Sequence, residues 1–310
     1  MLSKRGQVTV FIILGIILVA SGIVLYVTQD YLFASDWQRA RMESLVVPNQ
    51  VQPLQAYVSS CIQDLGYKAV SLLGQQSGYL NLPPSTVEIS ELNLFSNALS
   101  FGPGVTIPYW YYQTPNTVDT VAVPTLFSMA EDIALYIDEH LLACVQAYED
   151  EHLQLDFVPS STTVEITDEE VLFSVEFPFT VTSETLTFTF DSFYEQIDVP
   201  LGNLFSLAYQ IFDFANSNLF FEEMTFDMMA LYDEVPLSGS STDCIAPVWI
   251  TSQVKEDFKT ILTHNIPRYV VQGSQDSTND LEYETLAVGD FDPLVSVNFL
   301  YSKNWPFSMD

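Results

Sequence analysis

Twenty consecutive residues, Val8 to Val27, carry no charged side chain. As a helix rising ~1.5 Å per residue, the run crosses the ~30 Å hydrocarbon core of a bilayer with every backbone polar group bonded inside the segment. Lys4 and Arg5 stand before it and Asp30 is the first acid after it, so the basic flank keeps the short N-terminus in the cytoplasm. The run is longer than the apolar core of a cleaved secretory signal and leads straight into a helical pattern, which predicts an uncleaved single-pass anchor. Val8, Phe11, Gly15, Gly22 and Val27 mark out its length. Gly15 and Gly22, seven residues apart, lie on nearly one face, where a neighbouring helix could approach closely; glycine is also frequent in membrane helices without that role. From about Thr28 onward the chain is predicted to be extracellular, with the lipid bilayer as its first partner.

Charge then decides which other partners are excluded. The 310 residues include 9 basic and 40 acidic ones, for a net charge of −31. With Lys4 and Arg5 inside, 7 basic residues face all 40 acids and the exterior carries −33. Such an excess repels nucleic acid and anionic lipid. Its self-repulsion acts over a Debye length of ~8 Å in ordinary saline and only ~3 Å in molar salt. The acids are scattered, not blocked, a pattern that points to a high-salt, halophilic setting. Calcium binding has less support, since no Asp-x-Asp-x-Asp-Gly loop is present and Gly289-Asp290-Phe291-Asp292 is only a fragment of one.

Beyond the anchor, Tyr31 to Leu45 lacks Gly and Pro and can continue as a helical stalk until Pro48 and Pro53 break it. Leu54, Val58, Cys61, Ile62, Leu65, Ala69, Leu72 and Leu73 keep helical spacing, with Gly74 at the end. A β-prone region follows, with short strands predicted at Val87–Ile89, Leu99–Phe101 and Val105–Tyr112. Ser128 and Glu131 predict a capping box ahead of a second helix through Ala130, Ile133, Ile137, Leu141, Cys144, Val145 and Tyr148.

The period changes at about Pro159. Val171, Phe173, Val175, Phe177, Phe179 and Val181 alternate with polar positions, and Leu186, Phe188 and Phe190 alternate with threonines, which predicts an antiparallel meander with Val164–Thr167 as a third strand. Pro178 inside the longest strand implies an edge or a bulge. Leu204 to Leu231 returns to helical spacing and is predicted to break near Asn216-Ser217-Asn218. Its second part, with Phe220, Phe221, Met224, Phe226, Met228 and Met229, reads as a buried hairpin covering the sheet, with a partner site as the other reading. After a loop at Ser238-Gly239-Ser240-Ser241, Val254, Phe258, Ile261 and Leu262 share one helix face. Strands are expected at Arg268–Val271, Leu281–Val288 and Leu294–Tyr301.

The cysteines and histidines are the natural carriers of chemistry. Three cysteines permit three single bridges. Cys61 and Cys144 both lie on the buried stripes of their helices, so packing the two helices together favours a Cys61–Cys144 bridge, which an extracellular setting preserves; Cys244 is then left over. His140 and Cys144 are four apart and His152 follows, which could supply three metal ligands, but the bridge competes for the same sulfur. No Gly-x-Ser-x-Gly elbow, His-Glu-x-x-His helix, Walker loop or Gly-x-Gly-x-x-Gly fingerprint occurs. No catalytic residue, metal site or cofactor is therefore expected. Tyr109-Trp110-Tyr111-Tyr112 is the remaining candidate, as a sugar- or protein-binding surface or as core packing.

Two resemblances bear on the N-terminus and beyond. Lys4-Arg5-Gly6-Gln7 directly before the apolar helix resembles the archaeal type IV pilin signal, which implies cleavage between Gly6 and Gln7 and polymerisation through the exposed helix; many pilins carry a much smaller head. More of the chain resembles uncharacterised single-anchor surface proteins of small-genome archaea. The residues that carry this likeness are Gly6 to Gly15, Val58 to Cys61, Leu73 to Tyr79, Ile107-Pro108-Tyr109-Trp110 and Ala143-Cys144. It covers about half the chain and brings a topology without a biochemical activity.

The expected architecture is α+β: an N-terminal transmembrane helix with extracellular lobes of antiparallel sheet and packed helices. Residues 1–48 form the cytoplasmic tip, membrane helix and stalk; 49–158 form a membrane-proximal lobe with the two cysteine helices; 159–310 form a distal lobe with the sheet. The expected function is a non-catalytic cell-surface protein for interaction or assembly, partnered by copies of itself or by other surface proteins. A pilin-like filament subunit and an anchored extracellular hydrolase are the alternatives.

Overall fold

The protein's structure, a computed structural model, describes residues 36–44, 47–88, 95–101, 104–148, 154–183, 187–236, 248–274, 285–288 and 295–302. The expected anchor Val8–Val27, the Gly6–Gln7 junction, His152, the Ser238–Ser241 loop, Cys244 and Gly289–Asp292 lie outside the described residues. Among the described residues no helix is long and apolar enough to cross a membrane.

The described chain is a mixed α+β fold. It opens with helices α1 (Asp36–Ser44) and α2 (Gln52–Gln75), then four short strands, β1 (Ala98–Ser100), β2 (Thr106–Pro108), β3 (Tyr111–Gln113) and β4 (Asp119–Val121). Helix α3 (Leu126–Val145) leads to β5 (Gln154–Phe157), β6 (Ser161–Ile166), β7 (Val171–Thr182) and β8 (Thr187–Ile197). Helices α4 (Leu201–Ser217), α5 (Phe220–Ala230) and α6 (Thr251–Asn265) follow, then a 3-10 turn at Ile266–Arg268 and the two-residue strands β9 (Val270–Val271) and β10 (Thr285–Leu286). Two compact units share this chain. The first takes the described residues of 1–66, 134–165 and 172–197, and the second those of 67–133, 166–171 and 198–310. The lobe boundary expected at 158–159 falls inside a segment of the first unit.

The first unit is built on a four-stranded sheet in which β7 pairs with β5, β6 and β8. Three partners on one strand require two of them to share an edge. Antiparallel β5 occupies only Phe179 to Thr182 of β7. Val158 N–H still reaches the Pro178 carbonyl at 3.3 Å, and β6 begins at Ser161. Pro178, which has no N–H to give, thus faces the break between two partners. Asp138 of α3 secures that break, accepting from Ser160 Oγ at 2.8 Å, Thr162 Oγ1 at 2.7 Å and Thr162 N–H at 3.1 Å.

Phe173, Val175, Phe177, Phe179 and Val181 are buried on one face of β7, as the alternation predicts. On β8 the buried positions run Phe190, then Phe193, Glu195 and Ile197. The three-residue step between the phenylalanines is a local slip of the two-residue period, the sign of a bulge. Phe157, Phe177, Phe179, Phe190 and Phe193 form a continuous aromatic cluster with centroids 4.9–6.1 Å apart.

The second unit has no large sheet among its described residues. β1 pairs antiparallel with β2, β3 with β4, and β9 parallel with β10. Its core gathers Met228, Val235, Val254, Ile261, Leu262, Tyr269, Val271 and Leu286. Phe220, Phe221, Met224 and Met229 of the α4–α5 hairpin pack against that core.

Four expectations need correction. The strand Val105–Tyr112 is split, because the chain bends at Trp110 and sends its two parts into different hairpins. Glu88, in the expected strand Val87–Ile89, makes only an isolated bridge to Ala98. The cap of α3 lies three residues earlier than Ser128: Ser128 N–H donates to Thr125 Oγ1 at 3.0 Å and Thr125 N–H donates back to Ser128 Oγ at 3.0 Å, a capping box with Thr125 as N-cap. Residues 295–302 form no strand. Val297, Phe299 and Tyr301 nevertheless turn their alternate side chains onto the core, so the period there reports a buried face without a ladder.

Candidate functional site

The predicted bridge is present. Cys61 of α2 and Cys144 of α3 are joined with an S–S distance of 2.04 Å and a Cα–Cα distance of 6.0 Å. Cys61 is buried between Val58 and Ile62, and Cys144 neighbours Leu141 and Val145 on its helix. Tyr57 completes the node: its hydroxyl donates to the Cys144 carbonyl at 3.3 Å and its ring packs on Tyr148, centroids 5.1 Å apart. Two helices joined by a disulfide hold a fold together, and the bonded sulfurs offer no thiolate for chemistry.

The metal alternative loses its central ligand to this bridge. His140 is exposed on α3, stacks on Tyr136 at 4.2 Å and directs Nδ1 to the Tyr136 carbonyl at 2.8 Å. His264 makes the same turn-long contact, with Nδ1 2.7 Å from the Thr260 carbonyl. Among the described residues no group of three His, Cys, Asp or Glu side chains is placed to hold a metal ion.

The aromatic run divides residue by residue. Trp110 points inward within the second unit, its ring edge-on to Phe205 and Phe212 of α4 at 6.0 and 5.5 Å. Its indole N–H donates to the Ser77 carbonyl at 2.9 Å. That carbonyl belongs to the C-terminal cap of α2, where Ser77 takes φ 55° and Gly78 φ 88°, and Gly78 N–H closes on the Leu73 carbonyl at 2.8 Å. A side chain at Gly78 would also meet Met129 at 2.5 Å and Pro124 at 2.7 Å. Tyr109 is half-buried; burial pushes its phenol above the ordinary value, with the Ser96 hydroxyl pulling the other way. Tyr79 donates to the Ala122 carbonyl at 2.8 Å, and burial followed by the charge of Tyr112 raises its phenol too.

Only Tyr111 is open to solvent, at 42% exposure. It faces Val121 across the β3–β4 hairpin, and Val121 is also exposed. A hydrogen bond with Asp119 is the main cause raising the Tyr111 phenol. Sequence reasoning placed Phe212 on the helical spacing of Leu204–Leu231 but missed that Phe205 and Phe212, seven apart, set two rings on nearly one helix face to receive Trp110. Val121 and Leu231 were also missed as exposed apolar positions, and Phe226, named in a stretch read first as buried, is exposed.

The segments singled out by sequence thus meet in pairs: Val58–Cys61 with Ala143–Cys144 through sulfur, and Leu73–Tyr79 with Ile107–Trp110 through the indole. Comparison with known proteins supplies no template, since no family model, no curated protein and no solved structure matches the chain.

Proposed function

We propose that the chain is a non-catalytic, membrane-anchored archaeal surface protein whose acidic ectodomain serves interaction or assembly outside the cell. The observation that carries this reading is the Cys61–Cys144 bridge, because such bridges persist in oxidising compartments and are rare in the cytosol. The uncharged run Val8–Val27 and the basic flank Lys4-Arg5 supply the matching topology. The net charge of −31 suits a high-salt exterior. Copies of the same chain or other surface proteins are the partners, and nucleic acid is excluded by charge.

A second reading keeps the location and changes the assembly. Lys4-Arg5-Gly6-Gln7 favours a pilin-like filament subunit cut after Gly6 and packed through Val8–Val27. N-terminal sequencing and intact mass of protein purified from its native membrane separate the two. A chain that retains Met1 or Leu2 supports the permanent anchor; a chain that begins at Gln7 supports the filament and overturns the anchor.

A further inference from the structure

The helix that follows the proposed anchor is built into the first unit. Trp37 Nε1–H of α1 donates to the Phe173 carbonyl of β7 at 3.3 Å, and its ring meets Tyr194 of β8 edge-on, centroids 6.4 Å apart. Arg41 donates to Gln196 Oε1 at 2.6 Å while its guanidinium lies 5.4 Å over the Trp37 ring. Tyr194 and Gln196 alternate with buried Phe193, Glu195 and Ile197, so α1 covers the sheet face opposite to them. The buried face belongs to α2, where Gln63 donates to Glu195 at 2.9 Å and Gly66 lies against Phe173. The Gln55 amide ties the two helices by donating to the Ser44 carbonyl at 2.8 Å.

Chain length and charge then orient this unit. Val27 and Asp36 are nine residues apart, so α1 starts within ~32 Å of the outer end of the anchor even at full extension of the chain between them. Residues 36–44 of α1 carry two acids and two bases, whereas residues 45–310 carry 37 acids and five bases. Among the described side chains of α1, Gln38, Arg39 and Met42 are exposed. A strongly acidic ectodomain approaches lipid headgroups at least cost with this near-neutral, arginine-bearing side.

We infer that the α1 side of the first unit faces the lipid headgroup layer, which places the antiparallel sheet at the membrane surface instead of at the end of a stalk. The inference rests on the anchor reading above. It is tested with the full chain in zwitterionic vesicles that contain a dansyl-headgroup lipid, by energy transfer from tryptophan. Flotation with the vesicles is measured first. The chain has 4 tryptophans, and Trp37→Phe and Trp37→Tyr each keep a ring beside Tyr194 and Arg41. Using both keeps the comparison when one variant loses the fold by circular dichroism. Sensitised dansyl emission is expected to fall by a quarter or more in the variants. Equal emission from wild type and variants that all float overturns the inference and leaves the anchor standing. Protein that does not float overturns both.

Discussion

A methyl group at Gly66 would stand 2.6 Å from Cζ and 2.9 Å from Cε2 of Phe173, a ring with no exposed surface. Gly74, on the same helix, has nothing within 4 Å of the same added atom. One substitution in two places therefore acts with opposite signs. Gly66→Ala forces a packed ring aside at a cost of about 1–3 kcal/mol, which outweighs the helix propensity gained. Gly74→Ala keeps the propensity gain of roughly 0.5 kcal/mol and meets no obstacle. Denaturant unfolding midpoints of the two variants give the contrast directly; a stabilised Gly66→Ala would contradict the packing.

The tyrosines make a second prediction at this scale. Burial is the leading cause raising the phenols of Tyr79, Tyr109 and Tyr301 above the ordinary value of 10.0. The folded chain holds these protons more tightly than the unfolded chain does. Stability is therefore unaffected below pH 10.0 and is lost as pH rises above that value through the folded-state values. Unfolding midpoints across the alkaline range, read beside tyrosinate absorbance, test this; stability that rises with pH there would contradict it.

At the scale of elements, the Cys61–Cys144 bridge closes a separation of 83 residues between two long helices. In the chain-entropy model a loop of that size contributes about 4–5 kcal/mol. Cys61→Ala with Cys144→Ala should lower the unfolding midpoint accordingly, and adding reductant to the wild type should do the same. An unchanged midpoint would show that the bridge does not constrain the unfolded chain. This pairing was legible because both cysteines fall on apolar stripes of period 3.6. The long strand β7 was legible for the parallel reason, with Phe173 to Val181 at period 2 and Pro178 flagging the break that β5 and β6 leave.

Where sequence reasoning stopped, the missing information was non-local. Ser128 and Thr125 are both plausible caps by residue type, and only the reciprocal bonds between them assign the roles. Residues Val297, Phe299 and Tyr301 alternate like a strand, but alternation specifies a buried face and says nothing of a ladder partner. Packing in the core was the favoured reading of Trp110, but the rings that receive it, Phe205 and Phe212, lie about a hundred residues further on. The candidate partner surface was accordingly legible only as a segment, of which Tyr111 alone is open.

For the whole molecule, the reading depends on one statement of topology. In the proposed topology Lys4 lies on the cytoplasmic side of Val8–Val27 and Lys68, an exposed residue of α2, lies outside. A membrane-impermeant amine-reactive label applied to intact cells, with peptide mapping by mass spectrometry, reads both lysines in one measurement. Labelling of Lys68 on intact cells, with Lys4 reached only after lysis, is the predicted result. Lys68 protected until the cells are broken, or Lys4 labelled while they are whole, would contradict the surface-protein account.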